Sequence, residues 1–503
     1  MDVNAEGSEQ APQVRPVPVG IAATGTRTET DSLGPVEVPA DHYWGAQTQR
    51  SLIHFSIGDD LMPIAVYHAY GYVKKACAVV NARHGRLPGW KAGLISRVAG
   101  EVIAGALDSE FPLHVWQTGS GTQSNMNVNE VIANRAIQLA GGELGSKRPV
   151  HPNDDVNSGQ SSNDTFPAVM HIAALRGLAE HLLPSVRRLR EAAARKSEEW
   201  AQVVKIGRTH LQDATPLTVG QEWSGYVSQL DDALEDLASA LPGLRRLAIG
   251  GTAVGTGLNA PPGFGDEVAA EISRLTGHEF VGAPNKFAAQ ASLDSLVRAS
   301  GALRNLSVAL FKFANDMRWL GSGPRSGLAE LILPPNEPGS SIMPGKVNPT
   351  QAEAMLMVCL QVRGNDSVIA AAGAEGNFEL NAFRPVAISN FLHSARLLSS
   401  ACDCFREFLV EGARLNEARL AADVARSVMM VTALSPEIGY DKAAEIAHLA
   451  MAQDLTLRDA ALASGVSADL YDRVVVPERL AQPGTSGPAG PPGTAGPPGG
   501  AAR

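Results

Sequence analysis

The side chains best suited to chemistry in this 503-residue chain gather in four polar, glycine-rich segments. The first, TGSGTQSNMNVNE (118–130), offers Ser120, Thr122, Gln123, Asn125 and Asn127, all neutral hydrogen-bonding groups, with Gly119 and Gly121 free to turn tightly. Such a segment can cradle a carboxylate with hydroxyl and backbone N–H donors, or it can simply cap a helix. The second, HPNDDVNSGQSSNDTFP (151–167), places Ser161, Ser162 and Asn163 ahead of a helix expected to begin near Asp164. Donors at a helix N-terminus form an anion site, and plain capping accounts for the same residues. Arg148, His151, Asn153 and Asp154 lie just upstream.

The third segment, KIGRTHLQDATPLTVGQE (205–222), sets Thr209 and His210 in a polar turn before Pro216. An isolated histidine is more often structural than catalytic. Two anion-binding segments elsewhere raise the weight of its capacity to transfer protons near neutral pH. The fourth, NEPGSSIMPGKVNPTQAEA (336–354), carries Ser340, Ser341, Lys346 and Asn348, with Glu353 on the helix that follows. Its prolines and glycines make a shaped loop. It joins two strongly apolar helical regions, which argues against a surface linker.

The elements that must position these groups are mainly helical. Residues 166–200 place Phe166, Met170, Ala173, Leu178, Leu182, Val186 and Leu189 at spacings of three and four, with charged residues on other faces. Residues 221–241 and 351–372 also read as long helices. The stretch 292–321 is apolar on most faces, through Leu296, Leu303, Leu306, Val308, Leu310, Phe311, Phe313 and Met317. A helix of that kind must be covered all round, as in a bundle interior, here shared between subunits. Strand signals are short: 35–40, 203–207 and 328–334. The pattern predicts an all-α (mainly) protein with an N-terminal domain, a long central bundle and a small C-terminal domain.

Composition narrows the function classes. With 42 basic and 52 acidic residues the net charge is -10, against the basic surface of a general nucleic-acid binder. The hydrophobic fraction of 44% suffices for large cores. Cys77, Cys359, Cys402 and Cys404 are too few and scattered for a disulfide framework. Cys402 and Cys404 lie two apart on a predicted helix and so point in different directions, and the absence of a Cys-x-x-Cys pair argues against an iron–sulfur cluster. No metal and no cofactor are expected. No run approaches the roughly 20 apolar residues that span a bilayer. The N-terminus has neither a secretion signal nor a transit-peptide pattern, which suggests a cytoplasmic protein without a membrane partner. Two tails, 1–26 and 482–503, are expected to be disordered, the second with a collagen-like glycine at every third position from Gly484 to Gly499.

Taken together, the four segments resemble the fumarase/aspartase superfamily, whose signature is the string GSSIMPGKVNP. The resemblance runs from about Arg27 to about Leu480. The strings GTQSNMN, GRTHLQDATP and KVNPTQAEA are most similar to class II fumarases. It implies a three-domain architecture (27–158, 159–415 and 416–481) whose central helices form a twenty-helix core in a homotetramer. Each active site would draw on three subunits. It implies a metal-independent hydro-lyase of the tricarboxylic acid cycle that converts fumarate reversibly to L-malate through a carbanion. Ser340 would be the catalytic base, with Ser341 open as an alternative from the residues alone. His210, oriented by Glu353, would serve the departing hydroxyl. Lys346 and Asn348 would stabilise the carbanion, and Ser120, Thr122, Ser161, Ser162, Asn163 and Thr209 would hold the substrate. Arg148, His151, Asn153 and Asp154 match the family's second, non-catalytic anion site. The chain departs from a common family motif, NKFEALAAHDA, in reading NKFAAQASLDS (285–295), with Ala288 and Leu293 as the changes. Two other readings remain: an aspartate ammonia-lyase of the same superfamily, and a non-enzymatic structural protein on the same fold.

Overall fold

The computed structural model describes residues 11–484; residues 1–10 and the collagen-like tail beyond 484 lie outside it. Residues 11–25, expected to be loose, are tied down instead. The Arg15 N–H donates to Leu139 O at 2.8 Å. The Arg135 guanidinium donates to Val17 O and Pro18 O at 2.9 and 3.0 Å, and the Tyr43 hydroxyl to Gly20 O at 3.0 Å. Arg135 is almost fully buried, so its donors must find acceptors, and Glu101 with this leading segment supplies them.

A short hairpin of β1 (Thr26–Asp31) and β2 (Gly34–Pro39) opens the chain. The helices that matter for the site follow in order. They are α1 (Ile64–Arg83), α2 (Thr122–Ala140), α3 (Ser162–Arg176) and α4 (Leu183–Glu199). A second antiparallel hairpin, β3 (Val204–Thr209) and β4 (Gln212–Thr218), leads into α5 (Val219–Leu244) and α6 (Asp294–Leu320). The two-residue strand β5 (Leu331–Ile332) precedes α7 (Thr350–Ala374) and α8 (Arg384–Phe405), and pairs with β6 (Arg414–Leu415). The long helices lie where apolar periodicity predicts them, and the architecture is mainly α with a few short strands.

Contacts divide the chain into two compact units. The first comprises residues 11–186, 233–308 and 357–401. Its core is α1, buried nearly all round through Val66, Tyr67, Tyr70, Val73, Cys77 and Val80, against α2 and α3. Tyr67 stacks on Phe111 with centroids 4.4 Å apart. Between α3 and α4 the chain takes one wide π-helical turn, Gly177–Leu182. The second unit comprises residues 187–232, 309–356 and 402–484. Trp200, Trp223, Tyr226, Phe313 and Phe405 interlock there, with Trp223 edge-on to Trp200 at 4.9 Å and Tyr226 stacked on Phe313 at 4.6 Å. Leu434, Ile446, Leu457 and Ala460 close a small C-terminal core over Ile206. Along α8, Cys402 is buried and Cys404 exposed, as helical spacing requires.

Candidate active site

In the first unit, α2 and α3 begin side by side. Helix α2 starts at Thr122, after Gly121 in the left-handed region (φ 77°). A Cβ on Gly121 would lie 2.2 Å from the Phe166 ring, and one on Gly119 would lie 1.5 Å from Ala382 O, so both positions demand glycine. Helix α3 starts at Ser162, earlier than expected, because Ser161 caps it. The Ser161 hydroxyl accepts from Asn163 N at 3.2 Å, and the Asp164 carboxylate accepts in return from Ser161 N at 2.9 Å. Three hydroxyls then link the two starts: Ser120 to Thr122 at 2.8 Å, and Thr122 to Ser162 at 2.8 Å. Side-chain hydroxyls that bond one another across two helix N-termini can be redirected to an anion at little cost, because each keeps a rotatable proton. Asn163 stands beside them with its carboxamide donating to Ala253 O at 2.8 Å.

The scaffold beneath holds residues the segment-by-segment reading missed. Asp164 is fully buried and accepts from Gly250 N and Thr252 N, both at 2.9 Å. Burial pushes its carboxyl above the ordinary range, against those N–H groups and the nearby Lys74. Pro167 sits inside α3 and cannot donate to Asn163 O. The guanidinium of the fully buried Arg384 fills that gap at 3.2 Å and also donates to Gln290 O. Desolvation lowers Arg384 to about 10. Lys74, buried in the mostly apolar helix α1, is the other missed cation. A charged residue amid the run AYGYVKKACAVV was the available signal.

In the second unit, the β3–β4 hairpin presents Thr209 and His210. Its tip is a two-residue turn in which His210 (φ 57°) and Leu211 (φ 62°) both take left-handed conformations, a type I′ pattern that glycine and asparagine fill more cheaply. Each such residue stores on the order of 1–3 kcal/mol of backbone strain. The hairpin base resists it. The buried Lys205 ammonium reaches Glu222 and Glu330, both at 2.6 Å, and Arg208 reaches Glu330 at 2.5 Å. Deleting one member of such a buried network costs about 3–5 kcal/mol, since it strands the others.

Also in this unit, the loop 336–349 folds on itself. Gly339 N donates to Lys346 O at 3.1 Å, and the Asn348 carboxamide to Gly339 O at 2.7 Å. The Ser340 hydroxyl oxygen accepts from the N–H groups of Ile342 and Met343, both at 3.3 Å. Ser341 and Lys346 are exposed. A cavity of about 620 Å³ is lined by Lys346, Asn348, Arg318, Trp319 and Asn416. Glu353 is exposed on the first turn of α7, and among the described residues it makes no hydrogen bond or ion pair with His210 within the chain.

The upstream cluster returns to the first unit. His151 caps a short helical turn, Pro152–Val156, its Nδ1 accepting from Asn153 N and Asp154 N at 3.1 Å each. Arg148 is exposed nearby in sequence.

Comparison with known proteins places these features. Residues 34–364 match the family model described as Lyase, and residues 430–482 match Fumarase C C-terminus. A fumarate hydratase class II of Methanosarcina acetivorans is 67% identical over 470 residues, covering 93% of this chain and 97% of that protein. The fumarate hydratase class II of Ralstonia nicotianae is 59% identical over 456 residues, covering 90% and 99%. Among solved structures, a class II fumarase from Schistosoma mansoni superposes with a TM-score of 0.89 at 43% identity, covering 92% of this chain and all of the other. No helix among the described residues is long and apolar enough to cross a membrane.

Proposed function

From the premise that this chain belongs to the class II fumarase family, we infer that it is a hydro-lyase that interconverts fumarate and L-malate. The observation that carries the reading is the run of hydroxyls Ser120, Thr122 and Ser162 bridging two helix N-termini, a receptor for a carboxylate. Ser161, Asn163 and Thr209 complete the substrate contacts. Dehydration of malate removes a weakly acidic proton beside a carboxylate, so a second negative charge builds on that carboxylate. Preorganised donors must meet it as it forms, and Lys346 with Asn348 does so. Ser340 takes the proton. Two N–H groups aimed at its oxygen favour its alkoxide and favour Ser340 over Ser341 as base. His210, oriented by Glu353, manages the proton of the departing hydroxyl through water.

The working form is a homotetramer in the cytoplasm, serving the tricarboxylic acid cycle. Exposed apolar side chains on the central helices support the assembly: Val308 is 54% exposed on α6, and Met357 and Leu360 are 64% and 58% exposed on α7. In such an assembly His210 and Glu353 meet from different subunits, consistent with their lack of a contact within one chain. Adding L-malate to the purified protein should raise the ultraviolet absorbance of fumarate. Silence with malate and release of ammonia from aspartate would instead identify an ammonia-lyase, and inertness to both a structural protein.

Arg148, His151, Asn153 and Asp154 form a second anion site outside the reaction. The variant His151→Asn should retain turnover within a few-fold of the parent and keep its helical turn capped, because asparagine is itself a preferred N-cap acceptor. A collapse of turnover in that folded variant would move these residues into the catalytic machinery.

A further inference from the structure

Lys74 lies on α1 with none of its surface exposed. Its ammonium gives its three protons to three neutral amide oxygens: Asn125 Oδ1 at 2.8 Å, Asn157 Oδ1 at 3.0 Å and Gln160 Oε1 at 3.0 Å. The charged and titratable groups facing it are few. Asp164 comes from α3, and Tyr70 and Cys77 lie on α1 itself, while Arg384 of α8 stands beside Tyr70 and Asp164. Asp164 is the one carboxylate among them, and it is engaged by three backbone N–H groups. Two buried cations therefore share one buried carboxylate. The ammonium is fully hydrogen-bonded without being ion-paired, so its field is not cancelled locally.

The acceptors that hold Lys74 belong to the two segments that make the hydroxyl run. Asn125 sits in the first turn of α2, its N–H bonded to Gly121 O at 3.1 Å. Gln160 directly precedes the Ser161 cap. The Thr165 hydroxyl bonds Asn125 Oδ1 at 3.3 Å and Ser161 O at 2.9 Å, so the lysine's own acceptor joins the starts of both helices. A solitary cation in this place costs several kcal/mol to desolvate, and an apolar side chain of the same length would fill the space without that cost.

We propose that Lys74 is a positioning residue for the dicarboxylate: it locks the amide cage behind Thr122 and Ser162 and supplies, without touching the substrate, the positive potential that draws a carboxylate onto their hydroxyls. The inference rests on the reading that Ser120, Thr122 and Ser162 receive a substrate carboxylate. Its energetic logic is that of a charge buried behind two helix N-termini, whose partial positive charge it reinforces. Burial lowers the ammonium to about 7, so an arriving dianion favours its protonated form.

The test uses the full chain with Lys74→Met and Asn157→Asp. The second variant keeps the ammonium and an oxygen acceptor but sets a neutralising carboxylate against it. For each, kcat and KM for L-malate, inhibition by the unreactive dicarboxylate succinate, and thermal melting are measured beside Thr122→Ala. A unit charge acting over about 10 Å at an effective dielectric near 20 corresponds to about tenfold in binding. Both variants should therefore raise KM and the succinate inhibition constant about tenfold, with kcat within about threefold of the parent. Unchanged KM and succinate inhibition in folded Asn157→Asp overturns the inference, as does a Lys74→Met defect confined to kcat and melting. If Lys74→Met does not fold, Asn157→Asp decides. Thr122→Ala separates the two levels. If it raises KM while the charge variants do not, the lysine inference alone falls. If it leaves KM unchanged, the carboxylate-receptor reading falls, and the inference with it.

Discussion

Replacing Ser340 by alanine should lower kcat by about three orders of magnitude, within the range of about 10²–10⁴ that a positioned proton-transfer group contributes. The loop should survive the change. Its closure depends on Gly339 N bonding Lys346 O and on the Asn348 carboxamide bonding Gly339 O, neither of which involves the serine hydroxyl. What alanine removes is an acceptor for two long N–H bonds from Ile342 and Met343, each worth about 0.5–1.5 kcal/mol. Melting temperature and KM should accordingly stay close to the parent while the absorbance assay registers the loss of turnover. Near-native turnover in Ser340→Ala, with the loss appearing in Ser341→Ala instead, would transfer the base to the neighbouring hydroxyl.

The variant His210→Asn should lose about 10²- to 10³-fold in kcat without loss of stability. The backbone makes this a clean experiment. His210 occupies the left-handed region at the hairpin tip, a conformation that asparagine tolerates at least as well as histidine. The hairpin base, held by Lys205, Arg208, Glu222 and Glu330, is untouched. A fall in turnover with an unchanged or raised melting temperature would thus belong to the missing proton carrier and not to a displaced loop. Equal activity in the two proteins would remove His210 from the reaction.

Much of this is legible in the amino-acid sequence alone. The long helices announced themselves because apolar residues three and four apart must share a buried stripe, and the fit at 219–244, 294–320 and 350–374 reflects that constraint. The four polar segments stood out because hydroxyls, amides and glycines interrupt those stripes. What stayed hidden depended on tertiary partners. The start of α3 moved to Ser162 because Asp164 returns a bond to Ser161, a choice between capping frames that neighbouring serines leave ambiguous. The strand β4 went unread because Asp213 and Pro216 mask its pairing with β3. Residues 11–25 looked too polar to order, yet the buried Arg135 needed their carbonyls. Lys74 is marked only by a charge inside an apolar run, and Arg384 carries no local pattern at all. Their acceptors lie 51 to 86 and 94 to 221 residues away, respectively.

The proline inside α3 has a temporal consequence. Pro167 leaves the Asn163 carbonyl without a helical donor, and the group that satisfies it arrives 221 residues later in the chain. Closing a span of that length is entropically late, because the ends must meet before the contact returns any energy. A growing polypeptide that has not yet produced Arg384 therefore holds the start of α3 with its Asn163 carbonyl unsatisfied. The hydroxyl-bearing helix starts reach their final form only once α8 has been made and seats its guanidinium beneath them.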